Sequence, residues 1–356
     1  MDPAKGARRR IGCALLLTLV GGGAVRADQE LVRERPPLVT ARAEKSIERG
    51  LRWLSRAQRR DGSFAERGGM GASFPCAMSA LAGMAFLAHG DTPTRGRYAP
   101  VLRRLVRFLS SPRQAQRNGL ITSPSERGRS MYGHGFSMTF LAQVLGENGD
   151  PAVERRVRRV LQAGIKLTAA SQSAAGGWIY TPDSRGDEGS VTITQVQALR
   201  AARNAGLAVP RDTIRRAVEY IEKSQQPDGG IAYRVGNRGS QPAITAAGAA
   251  VLYNAGAYDS PAAHRCLDYC RRNIRVSGGR GGFGHWYYMH FYLAQAYWQV
   301  GGKDWARYYP ELREHLLAQQ AGDGSWQGDA VGRVYGTAIA VVVLSLPYER
   351  VPLYMR

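Results

Sequence analysis

Residues 319–326 read QQAGDGSW, and the chain returns to the same phrase several times. LSRAQRRDGSF ends at Phe64, AASQSAAGGWIY at Tyr180 and EKSQQPDGGIAYR at Arg234. Asp-Gly or Gly-Gly reverses a chain because glycine accepts backbone angles that other residues avoid. The aromatic residue after it offers a large flat surface for burial. A glutamine just before it has donors and an acceptor with which to tie a helix end to neighbouring backbone. The stretch therefore reads as a structural clasp between repeats rather than as a ligand contact.

The residue closing each Gly-rich turn is Phe64, Ile121, Trp178, Ile231, Phe283 or Trp326, at gaps of 57, 57, 53, 52 and 43 residues. Ahead of each turn lies a charged, amphipathic pattern, as in SIERGLRWLSRAQ and TIRRAVEYIEKSQQ, with apolar residues at three- and four-residue spacing. After each comes an apolar, Ala- and aromatic-rich pattern, as in CAMSALAGMAFLAHG and YYMHFYLAQAYWQVGG, which suits a helix buried all round. Most of these end in glycine, at Gly90, Gly206, Gly256 and Gly301, as a left-handed C-cap requires. Fixed-period repetition is the mark of a repeat architecture. The expected fold is all-α, a closed α/α toroid of six helix pairs, six outer helices around six inner ones. An open solenoid would leave one face of the Ala-rich helices exposed, so closure is favoured. The turns near Leu120 and Gly278 are the most degraded.

These stretches resemble the Gln-Trp repeats of the prenyltransferase and squalene cyclase superfamily, over nearly all of residues 44–347. The resemblance is closest to a secreted bacterial branch with stretches like MYGHGFSMTFLAQVLG, GGWIYTPDSRGDEGSVTITQVQAL and GRVYGTAIAVVVL. It implies a terpene cyclase-like α/α toroid, in agreement with the six-unit count. The chemistry of the superfamily is not carried over. The Asp-x-Asp-Asp acid of cyclases is missing, and its nearest counterpart, Asp183-Ser-Arg-Gly-Asp187-Glu188, has the wrong spacing. The Asp-rich magnesium cluster is absent. So is the Asp-Cys-His zinc set, where His285-Trp286-Tyr287 stands instead. No metal site and no cofactor are expected, and catalysis is left open.

In such a ring the inner helices run the same way, so their N-termini gather at one mouth with partial positive charge. The chemistry-bearing residues fall there. Tyr132, Trp178, Tyr180, Tyr233, His285, Trp286, Tyr287, Tyr288, Arg333 and Tyr335 are the candidate ligand-binding residues. Asp187, Glu188, Asp329 and His134 are the catalytic candidates. Aromatic walls suit an isoprenoid or a sugar ring, and Arg333 with the helix ends suits an anionic head group. The leading expectation is a hydrophobic or amphipathic small molecule, isoprenoid-like, in the toroid cavity. One alternative is a cell-envelope interaction scaffold, favoured by a ring centre filled by Phe136, Met138, Tyr292 and Tyr297. The other is a glycan-active enzyme. That needs two carboxylates facing one another across roughly 5 to 9 Å, Asp187 or Glu188 opposite Asp329.

Residues 1–27 combine a basic start, an apolar run from Ile11 to Val20 and a small-residue stretch, the layout of a signal peptide cleaved after Ala27. Export to the periplasm or beyond is expected, with an N-terminal extension at 28–43 and a tail at 348–356. The formal charge is +21; without residues 1–27, which carry five basic residues and one acidic residue, it is +17. Basic runs such as 103–104, 155–159, 215–216 and 271–272 fall on outer helices. They read as a solvated face, with an anionic membrane surface or envelope polyanion as the possible partner. No base-reading motif is present, and nucleic acid is not expected. Cys266 and Cys270 are four apart on one helix face, either as buried apolar residues or as a disulfide.

Overall fold

A computed structural model describes residues 35–66, 73–256, 259–277 and 285–355. The segments before, between and after these, including the expected signal peptide and the fifth turn closing on Phe283, lie outside the described residues. Twelve α-helices and no strand occur among the described residues. The outer helices are α1 (Ala41–Ala57), α3 (Ala99–Leu109), α5 (Pro151–Ala170), α7 (Arg211–Lys223), α9 (Pro261–Asn273) and α11 (Gly302–Gln319). The inner helices are α2 (Pro75–His89), α4 (Ser130–Gln143), α6 (Gly189–Asn204), α8 (Pro242–Asn254), α10 (Trp286–Val300) and α12 (Arg333–Ser345). Each inner helix packs on the next, and α12 packs back on α2, so the ring is closed.

The two helix classes follow from their sequences. In α7 only Thr213, Ala217, Tyr220 and Ile221 are buried, a stripe at helical spacing on an otherwise charged cylinder. In α2 every residue from Cys76 to Ala88 is buried, because one side meets the outer helices and the others meet inner neighbours. Gly90 terminates α2 at φ 101°, its N–H donating to Leu87 O.

The glutamine of each clasp is the one four residues before the turn glycine. Gln58, Gln172, Gln225 and Gln320 donate through Nε2 to the carbonyls of Gly62, Gly176, Gly229 and Gly324 at 2.8 to 3.1 Å. The same nitrogens also reach the next outer helix, at the carbonyls of Val101, Thr213, Ala262 and Ser46. One amide thus serves its own turn and the following repeat. The turn glycine is required twice over. Gly62, Gly119, Gly176, Gly229 and Gly324 have φ between 89° and 99°. A Cβ on any of them would come within 2.3 to 2.7 Å of a carbonyl oxygen in the next outer helix. The second turn lacks the glutamine, yet Gly119 keeps the place.

The aromatic that follows is core. Trp178 and Trp326 are wholly buried, and their indole N–H groups donate to Thr168 O and Leu316 O at 2.7 Å. Their backbone N–H groups donate to inner-helix hydroxyls, Thr192 and Thr337, as those of Phe64 and Ile231 do to Ser79 and Thr245.

Much of the basic surface proves to be part of the same fastening. Arg49 donates to the carbonyls of Ala321 and Gly322, Arg216 to Ser173 O, and Arg272 to Asp228 O. Arg104 and Arg265 bond the oxygens of Gln58 and Gln225, and Arg156 bonds Ser110 Oγ. These arginines reach back to the preceding turn, so the basic runs are not simply a solvated face. Cys76, Cys266 and Cys270 are buried and unbonded, and burial pushes the Cys266 thiol up to about 12. The expected disulfide option is therefore not taken.

Candidate functional site

The inner helix N-termini form one rim, and among the described residues five of the six are capped by the loop of the following repeat. Glu126 Oε1 accepts from Ala77 N of α2 at 3.1 Å, and Asp329 Oδ2 from Tyr287 N of α10 at 3.0 Å. Glu66 Oε2 accepts from Val334 N of α12 at 2.9 Å. The carbonyls of Tyr180 and Tyr233 serve α4 and α6 in the same way, accepting from Met131 N and Gly189 N. Carboxylates suit this place because they answer both the unpaired N–H groups and the helix dipole. Glu66 and Glu126 went unnoticed in the sequence, since the helices they cap lie in other repeats.

Glu188 caps its own helix, α6. It is wholly buried and accepts from Ser190 N at 3.0 Å, Val191 N at 2.5 Å and Ser190 Oγ at 2.9 Å. The Tyr132 hydroxyl on the first turn of α4 hydrogen-bonds Ser190 Oγ at 2.5 Å and lies 3.4 Å from Glu188 Oε1. Tyr132, Ser190 and Glu188 therefore form one hydrogen-bonded cluster. Burial raises the Glu188 carboxyl, and the hydrogen bonds from Val191, Ser190 and Tyr132 oppose that rise without cancelling it.

Aromatic rings gather around this cluster. Tyr180 lies 6.0 Å from Tyr132, its hydroxyl bonds that of Tyr233, and Arg129 covers its ring at 5.0 Å. Tyr288 of α10 reaches the Ser190 carbonyl at 3.4 Å and stacks at a tilt on Tyr292, 4.9 Å away. Burial pushes the Tyr288 hydroxyl far up, and the nearby Tyr292, Tyr132, Glu188 and Tyr335 add to it. Tyr335 in turn neighbours Tyr287 at 6.4 Å and feels Asp329. The tyrosines thus form a continuous lining from Glu188 to Asp329.

Below the rim, Tyr132 and Phe136 stand one turn apart on α4 and are half-buried, as are Tyr288 and Met289 on α10. Residues i and i+4 share a helix face, so Tyr132 and Phe136 lie on one face of α4. The far end is closed. Gln197 of α6 bonds Gln295 of α10 at 2.8 Å, although α8 stands between those helices in the ring. The segment after α12 folds back, with Leu353 and Tyr354 buried at 3% and 4% exposure. The turn Pro352–Tyr354 packs on α6, Leu353 N reaches Gln143 Oε1, and Tyr354 meets Phe291 edge to face at 6.4 Å. The buried Tyr292 hydroxyl has no hydrogen-bond partner among the described residues. Of the four residues expected to fill the ring centre, Met138 faces α5 through Thr168 and Tyr297 faces α11 through Tyr308. Phe136 and Tyr292 remain with the lumen.

Several mouth candidates sit apart from the tyrosine lining. Trp178 is in the core. The Arg333 guanidinium pairs with Asp323 and Ser325 Oγ and covers Trp53, which turns it toward its own clasp. Trp286 donates to Val276 O and packs between His290 and His315. His285 is exposed at the head of α10. Asp187 accepts from Ser173 Oγ at 3.5 Å beside the clasp of repeat three. His134 is wholly buried, its Nδ1 accepting from Ile121 N and its Nε2 bonding Thr168 Oγ1. It takes the place that a serine or threonine hydroxyl holds in the other described turns, and burial lowers its pKa to about 4. Among the described residues no three His, Cys, Asp or Glu side chains converge as a metal site would need.

No protein-family model matches the chain, and no curated protein matches it in sequence. Solved structures do. The type II terpene cyclase MstE from Scytonema superposes over 88% of this chain and 100% of its own, with a TM-score of 0.59 and 14% identity. A GH76 α-mannanase from Bacteroides thetaiotaomicron covers 86% and 96%, with a TM-score of 0.63 and 9% identity. The α-1,6-mannanase GH76A of Salegentibacter sp. HEL1_6 covers 85% and 98%, with a TM-score of 0.61 and 9% identity. The likeness is one of fold. It is shared by a terpene cyclase and by α-mannanases, so it carries the fold and no activity.

Proposed function

We propose that this chain binds a hydrophobic or amphipathic small molecule, isoprenoid-like in shape, in the upper lumen of its ring. The observation that carries this reading is the half-buried aromatic face of Tyr132, Phe136 and Tyr288 above a floor closed by Tyr354. Ligand sites are concave and mostly apolar, with a few placed polar groups. Here the hydroxyls of Tyr132, Ser190 and Tyr288 are those groups. The Scytonema cyclase, solved with geranylgeranyl dihydroxybenzoate as substrate and merosterolic acid A as product, supports a prenylated ligand for this fold. Binding, and not a bond-breaking step, is the proposed activity.

A glycan-active reading draws on the mannanases. It is weaker here because Glu188 and Asp329 are both engaged in holding helix N–H groups. We also propose export, on the strength of the basic, apolar and small-residue order of residues 1–27. In that setting the basic exterior would face an anionic membrane surface or an envelope polyanion.

The test is native mass spectrometry of the protein taken from its own envelope, followed by lipid extraction. A prenyl or terpenoid species is expected, and Tyr288→Ala should release it. A ring that comes out empty, takes up no prenyl probe and retains a protein or glycan would sink the reading in favour of a scaffold.

A further inference from the structure

An open cleft of about 400 Å³ lies on the outside of the ring, where repeats one and two meet. It is lined by Arg60, Arg104, Arg107 and Arg113 against a single acid, Asp61, over Phe108 and Gln114. Its volume falls within the range of small-molecule sites.

The carbonyl met by each turn glycine aligns Arg104 with Ala163, Arg216, Arg265 and Arg49 at the other described junctions. Three residues further along the helix stand Arg107, Lys166, Glu219, Asp268 and Arg52, and two residues before the glycine stand Arg60, Arg117, Ala174, Pro227 and Gly322. At the third and fourth junctions the acids pair with Arg215 and Arg271. The first and second junctions are basic at both positions, and at the first Arg113 from the connection after α3 completes the rim of a cleft. Arg104 is spent on Gln58. Arg60, Arg107 and Arg113 have no hydrogen bond or ion pair among the described residues. Asp61 accepts from Ser63 N and Ser63 Oγ at 3.0 and 2.7 Å, both at Oδ1. Three like charges around one cleft repel one another, and Asp61 is the one acid in its lining.

We infer that this cleft binds a compact oxyanion of the phosphate class with at least two negative charges, such as a diphosphate or a phosphorylated head group. Guanidinium forks match tetrahedral oxyanions in bidentate fashion, with charge-assisted hydrogen bonds. The Phe108 floor leaves room for a small apolar substituent on the ligand. The site lies on the outer surface and is independent of the lumen reading.

Isothermal titration of the full chain with inorganic pyrophosphate tests it. One saturable site is expected. The Arg107→Glu variant and the Arg60→Ala/Arg113→Ala double variant should each weaken binding by about tenfold or more, the loss of one charge-assisted hydrogen bond. The Arg158→Ala/Arg159→Ala control removes two exposed charges from α5 and should leave binding unchanged. Thermal melts check that every variant folds. No saturable binding, or an equal loss in the control, would overturn the assignment as mere net charge. Vesicles containing phosphatidylglycerol distinguish the source. Competition with pyrophosphate in the parent chain, absent in Arg107→Glu, identifies a lipid head group. Saturable pyrophosphate binding without such competition identifies a soluble anion.

Discussion

Gln320 and Ser46, 274 residues apart, close the ring: Gln320 Nε2 donates to the Ser46 carbonyl at 2.9 Å, and Ser46 Oγ donates to Gln320 Oε1 at 2.8 Å. This is the clasp that elsewhere joins successive repeats, used once to join the last outer helix to the first. Gln320→Ala removes those two bonds and the one to Gly324 O. At about 1 kcal/mol net for each, a loss of roughly 2 to 3 kcal/mol is expected. Urea titration reads it. A loss under 0.5 kcal/mol, as for an ordinary surface site, would mean that packing alone closes the ring.

The turn glycine makes a sharper demand. At Gly176, φ is 99° and a Cβ would lie 2.3 Å from Arg216 O. Gly176→Ala must therefore cost left-handed strain and displace α7. Destabilisation well above about 1 kcal/mol is expected, with Gly146→Ala, which has open space around it, as the milder control. Equal melting temperatures for the two variants would show that the contact is soft.

The helices and turns were legible in the sequence because each rests on local signals: periodicity, Gly placement, a glutamine at fixed distance from a glycine. Even the degraded second turn kept Gly119. What escaped the reading is contributed between repeats. Glu126 caps a helix that begins some fifty residues earlier, and no local pattern announces that. His134 looked chemical because histidine usually is, but the ring uses it as a stand-in for a hydroxyl. Arg333 looked like a mouth residue because it opens α12, yet Asp323 draws it to the outside. The mouth tyrosines did gather, since first-turn positions of parallel inner helices must converge.

His89 gives a pH signature. It ends α2, where a cation is favoured, with Nδ1 2.7 Å from Asp91 and Nε2 2.9 Å from Glu48. Burial alone would lower its pKa, but the hydrogen bonds and charges of Asp91 and Glu48 raise it to about 9. A histidine raised in the folded state adds stability in full below the unfolded value near 6.5, and that stability is lost as pH climbs through about 9. Discounted for partial exposure, the loss should be about 1 to 2 kcal/mol. Urea midpoints at the two ends of that window measure it, and His89→Gln should flatten the slope. A parent chain with no such slope refutes the assignment.

Tyr354 sets the depth of the lumen. It belongs to no helix pair, and the periodicity of the repeats gives no hint that it enters the ring. Its side chain is buried, meets Phe291 and lies near Tyr292, which neighbours the half-buried Tyr288 at 4.9 Å. On the proposed lumen reading, a ligand entering at the mouth stops there. Removing the ring should lengthen the accessible channel and expose the unpartnered Tyr292 hydroxyl. Tyr354→Ala would cost about 3 to 5 kcal/mol through the cavity it leaves, so Tyr354→Leu, which keeps much of the apolar volume, is the better variant. Competition between short and long all-trans prenyl alcohols for the lumen reads the outcome. The parent chain should prefer the shorter alcohol, and Tyr354→Leu should shift the preference toward the longer. An unchanged preference with binding intact would show that the floor lies elsewhere, at the Gln197–Gln295 bridge. A parent chain that binds neither alcohol would argue against the lumen as a prenyl site at all.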